Sequence, residues 1–73
     1  MSYNYSKLSG RIVEKFGTQA NFAEAMNLSE RSVSLKLNNK VGWKQSEILD
    51  ASKLLDFSQE EIPEYFFTLQ VQY

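Results

Sequence analysis

Apolar positions recur at four-residue spacing from Ser6 to Phe16: Leu8, Ile12 and Phe16 fall on one side with Val13 beside them, and Lys7, Arg11, Glu14 and Lys15 take the other faces. The spacing predicts an amphipathic first helix, closed by Gly17, which accepts the left-handed backbone of a helix end. Thr18 suits the N-cap of a second helix over residues 19–26, with Phe22, Ala23 and Met26 inward and Asn27 reversing the chain. Leu28 reads as an apolar turn residue and Ser29 as the next N-cap. A third helix over residues 29–38 then carries Val33 and Leu37 on its buried side, and its outer face is polar, with Glu30, Arg31, Ser34 and Asn38 surrounding Leu35. Residues 38–42 have turn chemistry, and Ile48, Ala51, Leu54 and Leu55 predict a fourth helix ending near Leu55. Ser58 and Glu61 fit a capping box, while Pro63 limits the fifth helix to one or two irregular turns. From Phe67 to Tyr73 apolar and polar residues alternate with the period of a strand.

The expected fold class is therefore all-α, five helices with a short C-terminal strand, in a single domain spanning residues 1–73. With 42% hydrophobic and 23% charged residues the chain can build a core. It has no cysteine and no histidine, so neither disulfides nor a thiol or imidazole metal site contributes, and a reduced, cytoplasmic setting is expected. Apolar runs never exceed three residues, which excludes a membrane-spanning helix, and no basic-then-apolar leader opens the chain. Catalysis is disfavoured on the same composition: without His or Cys a hydrolase would need paired carboxylates in a cleft, and Glu60, Glu61 and Glu64 read as solvated helix-end charges. No cofactor, metal or small-molecule ligand is expected.

Charge changes the picture. The net value is −1, yet residues 1–44 carry seven basic against three acidic side chains and residues 45–73 carry one against six, giving +4 and −5. A polyanion would approach the first half and be repelled by the second. The alternative is an ordinary mixed surface.

Two helices joined by a short turn, the second with a buried stripe and a polar outer face, form a helix-turn-helix unit over residues 18–38. In its skeleton of Gln19, Ala23, Asn27, Val33 and Leu37, Ala23 allows close helix approach and the two aliphatic residues pin the third helix. The segment TQANFAEAMNLSERSVSLKLN resembles the helix-turn-helix of the lambda-repressor-like, Cro-type family of phage and bacterial transcriptional regulators, with Asn27 standing where that family most often has Gly. The resemblance covers about residues 6–67 and implies a cytoplasmic repressor that reads an operator in double-stranded DNA.

The resemblance also implies roles for single residues. Ser29, Glu30, Arg31, Ser34 and Leu35 would face base edges: Arg31 to guanine, Glu30 to cytosine N4, Leu35 to a thymine methyl. Arg31 is the strongest of these, with a surface residue paired with an acid as its alternative, and Leu35 could equally pack on a neighbouring helix. Thr18, Gln19, Lys36, Asn38, Asn39, Lys40 and Lys44 would contact phosphates, with helix capping the simpler role for Thr18. Trp43 either packs its loop on the core or lies against the DNA backbone. A homodimer on DNA is expected, with the 67–73 segment as its contact, unless that segment pairs with residues 1–5 of the same chain. The rival reading is a protein-binding module that uses the same helices, or the acidic half, to hold a regulator without touching DNA.

Overall fold

The computed structural model describes residues 2–70. Its elements are α1 (Ser6–Phe16), α2 (Gln19–Ala25), α3 (Glu30–Leu37), α4 (Gln45–Leu54), a 3-10 turn (Gln59–Glu61) and α5 (Ile62–Phe66). Helix boundaries follow local chemistry. Gly17 has φ +79° and donates its N–H to the Val13 carbonyl at 2.9 Å, ending α1. Thr18 is extended and its hydroxyl accepts from the Asn21 N–H at 3.1 Å, and Ser29 accepts likewise from Ser32 at 3.0 Å. Asn27, Asn39 and Asp56 all have φ near +60° (62°, 61° and 61°). After each the next N–H reaches back to close the helix: Leu28 to Ala23 at 2.9 Å, Lys40 to Leu35 at 2.9 Å and Phe57 to Ser52 at 3.0 Å. Asn and Asp tolerate this conformation because their short polar side chains satisfy nearby backbone groups.

One apolar cluster draws on every helix. Leu8 and Ile12 of α1, Phe22 and Ala23 of α2, Val33 of α3, Ala51 of α4, Leu55 after it and Tyr65 and Phe66 of α5 are all buried. Val13, expected beside the buried stripe of α1, instead stands in solvent at 59% exposure, and Leu37 is half-buried. Pro63 sits at the start of α5, where its missing N–H costs nothing, and the Glu61 carboxylate accepts the Ser58 N–H at 3.0 Å.

The expected C-terminal strand reduces, among the described residues, to a single antiparallel bridge between Tyr3 and Leu69. Asn4 N–H donates to the Thr68 carbonyl at 2.7 Å and Gln70 N–H to the Ser2 carbonyl at 3.0 Å. The tail thus pairs with the chain's own N-terminal segment through residue 70; residues 71–73 of the expected strand lie outside the described residues. No helix of the described residues is long and apolar enough to cross a membrane.

Candidate functional site

Because α2 and α3 meet through the tight Asn27 turn, their outer surfaces share a depression lined by Gln19, Glu30, Arg31, Ser34 and Leu35. Glu30 and Arg31 are exposed, and Ser34 and Leu35 are half-buried. Ser29 is exposed at the cap, its hydroxyl also bonded to the Ser32 hydroxyl at 2.9 Å. The base-reading candidates therefore do come together, around a surface of mixed charge.

The phosphate candidates fare differently. Lys36 is 5% exposed, and its Nζ lies 3.0 Å from the Glu47 carboxylate, donates to the Gly42 carbonyl at 3.1 Å, and stands over the Trp43 ring at 5.8 Å. A lysine so enclosed cannot reach a phosphate; the expectation for Lys36 is overturned, because its position on α3 faces the loop before α4 rather than solvent. Asn39 is also occupied: its side chain accepts the Tyr3 N–H and donates to the Tyr3 carbonyl, both at 2.9 Å, which ties the N-terminal segment to the end of α3. Asn38 donates to the Ser34 carbonyl at 2.7 Å, and Thr18 is engaged as a cap. Lys40 and Lys44 remain exposed. Trp43 packs inward, edge-on to Phe66 with ring centroids 5.3 Å apart and to Tyr5 at 6.5 Å.

Sequence reasoning missed Glu47, in the first turn of α4. Its carboxylate accepts the Lys44 N–H at 2.8 Å, capping α4, while also receiving Lys36. Burial pushes its pKa up, but the Lys44 N–H bond and the Lys36 ammonium together outweigh burial and hold it below the usual carboxylate value. The three-residue spacing of Lys44 and Glu47 was the available signal.

A second surface was not anticipated. Between α4 and α5 runs a groove of about 430 Å³ lined by Trp43, Gln45, Ile48, Leu49, Ile62 and Phe67. Leu49 and Phe67 are exposed at 38% and 49%, a large apolar presentation for so small a surface.

The charge halves also meet. Lys7 pairs with Glu64, Lys15 with Asp56 at 3.8 Å and Lys36 with Glu47, so three bases of the first half are matched to acids of the second. Arg11 pairs with Glu14 at 3.0 Å and donates to the Leu55 and Asp56 carbonyls at 2.8 and 3.1 Å. The electrically two-ended surface expected from the sequence is largely neutralised in space.

Comparison with known proteins completes the picture. The solution structure of the modulator of repression (MOR) of the temperate bacteriophage TP901-1 from Lactococcus lactis matches at 60% identity with a TM-score of 0.81, covering 99% of this chain and 97% of that one. No curated protein sequence matches the chain. These findings correct the expectation of a lambda-repressor-like, Cro-type identity: a DNA-binding repressor, an operator as partner and a homodimer on DNA are not what the match indicates. The DNA roles given to residues 18–44 depended on that resemblance and lose its support. A family model matches residues 1–69, and the chain belongs to that family, described as a protein of unknown function (DUF739).

Proposed function

We propose that the chain is a modulator of repression: it binds a transcriptional repressor as a protein and alters its activity, without reading DNA itself. The observation that carries this reading is the match along nearly the whole chain, at 60% identity, to a phage protein of that name. The geometry supports it in two ways. Of the three cations expected to hold phosphates, Lys36 is consumed inside the fold, leaving Lys40 and Lys44. The surface instead offers exposed apolar side chains, which suit protein contact better than a phosphate backbone. On this reading the α2–turn–α3 unit is a scaffold, the role is one of binding with no catalytic step, and the protein works in the cytoplasm of a phage-bearing bacterium.

The test uses the purified repressor of bacteriophage TP901-1 and a duplex bearing its operator. Added chain is expected to bind the repressor and change its operator occupancy in a gel-shift titration, while showing no binding of its own to the duplex at low salt. Unchanged occupancy, or tight salt-sensitive binding of the chain alone to random duplex, would overturn the reading.

A further inference from the structure

Among the described residues five large apolar side chains stand exposed, and four of them, Val41, Leu49, Phe67 and Leu69, lie in or beside two adjoining clefts. Leu49 and Phe67 line the groove between α4 and α5, and Val41 lines the adjoining cleft that shares Trp43, Ile48 and Phe67 with it. Leu69 is bridged to Tyr3, whose ring meets Phe67 edge-on at 5.9 Å. The four are thus linked through shared neighbours. The fifth, Val13, sits apart on α1.

The groove has direction. Ile62 opens α5 and shares the groove with Leu49, whereas Phe67, just past the end of α5, also lines the cleft with Lys40, Val41 and Trp43. Lys40 lines the adjoining cleft, and it and Lys44, next to Trp43 in the chain, are exposed and outside any ion pair among the described residues; Glu60 and Glu61 of the 3-10 turn directly precede Ile62. A helix carries partial positive charge at its N-terminus and negative at its C-terminus, so this rim is complementary to a helix laid along the groove. A strand is a poorer occupant: the sole pairing among the described residues is one bridge, which offers no sheet edge to extend.

We propose that the α4–α5 groove receives an amphipathic helix of the repressor, its aliphatic side chains spaced i, i+3/i+4, i+7 against Ile48, Leu49, Ile62 and Phe67, and its N-terminus toward Glu60. The proposal rests on the reading of the chain as a repressor-binding protein and assigns the surface that does the binding.

The test measures affinity for the purified TP901-1 repressor by titration calorimetry. Leu49→Ala and Phe67→Ala are each expected to weaken binding at least tenfold, and Glu60→Lys and Lys40→Glu severalfold in a salt-sensitive way. Val13→Ala and Arg31→Ala should bind like the wild type. If the wild type binds and both groove variants bind equally well, the groove is wrong while the repressor-binding reading stands. If the wild type does not bind at all, both fall. Thermal melts accompany each variant, and the wild type supplies a measurement that no misfolded variant can spoil. The chain has a single tryptophan, whose ring lines the groove while its indole N–H is buried, so its one indole N–H resonance senses a change in the packing of the groove wall. That resonance should shift on addition of repressor; a resonance that stays in place while binding proceeds overturns the proposal, as does a shift that arises with protein concentration alone, which would mean a second copy fills the groove.

Discussion

Lys36→Met separates the structure from the surface role its sequence position suggested. The substitution keeps an unbranched side chain one atom shorter and removes the ammonium that meets Glu47 at 3.0 Å and the Gly42 carbonyl at 3.1 Å. With side-chain exposures of 6% and 13%, Lys36 is buried and Glu47 mostly so, and breaking a buried pair by deleting one partner costs about 3–5 kcal/mol. Glu47 retains the Lys44 N–H and lies in the first turn of α4, where the helix dipole favours an anion, so the low end, about 3 kcal/mol, is expected. A domain of this length has roughly 4–11 kcal/mol in total. The loss should therefore be visible as a fall in Tm of about 12–24 °C. Urea unfolding followed by far-ultraviolet circular dichroism measures it, with an unchanged slope confirming a two-state comparison. Lys40→Met, on an exposed side chain, is the control and should stay within about 0.5 kcal/mol. The double variant Lys36→Met/Glu47→Gln should recover part of the loss, because no unpaired carboxylate is left behind. A Lys36→Met protein as stable as the Lys40→Met control would refute the argument that Lys36 is a structural cation.

Three further outcomes are expected. Thr18→Ala, which deletes the acceptor for the Asn21 N–H, should cost about 1 kcal/mol in thermal unfolding, and no loss would mean that the cap is idle. Phe66→Ala, at a residue 1% exposed against Trp43 and Phe57, should cost about 3–5 kcal/mol or prevent folding, whereas a mild effect would show the cluster to be loosely packed. Glu47 has a folded pKa below its ordinary value, so its contribution to stability is fully present above the unfolded value of about 4.3 and is lost as pH falls through the lower, folded one. The stability gap between the wild type and Glu47→Gln should accordingly narrow as pH is lowered below about 4, and a gap independent of pH over that range would contradict the assigned ion pair.

Where local chemistry decides structure, the sequence was legible. Gly17, Thr18, Asn27, Ser29 and the Ser58–Glu61 pair each act through their own backbone or a neighbour three residues away, and each does in the structure what its type predicts. The helix faces were mostly readable too, since Leu8, Ile12, Phe22 and Val33 repeat at helical spacing and are buried. What failed were positions settled by contacts distant in the chain. Lys36 looks like any lysine on a polar helix face until Glu47 and Trp43 close over it, and Asn39 looks like a turn residue until Tyr3 arrives. The α4–α5 groove has no signature at all, because Leu49 and Phe67 belong to different elements and become one surface only when those elements pack.

The charge pattern shows most clearly why a helix-turn-helix outline did not determine function. A count along the chain gives a basic half and an acidic half, and such a separation would steer a polyanion if the halves faced different solvent. Folding does the opposite. Helix α1 lies against α5 and the end of α4, so Lys7 meets Glu64 and Lys15 meets Asp56, while the end of α3 lies over the start of α4 and Lys36 meets Glu47. Opposite charges placed far apart in sequence are brought together by the same packing that builds the core, and the field they would have projected is cancelled at short range. Among the described residues, the side-chain cations left outside these pairs in the first half are Arg31, Lys40 and Lys44, and Arg31 shares its depression with Glu30. A duplex needs several phosphate contacts at once to bind at ordinary salt. A protein partner needs a desolvated apolar centre with a few well-placed charges at its rim, and that is the kind of surface α4 and α5 present.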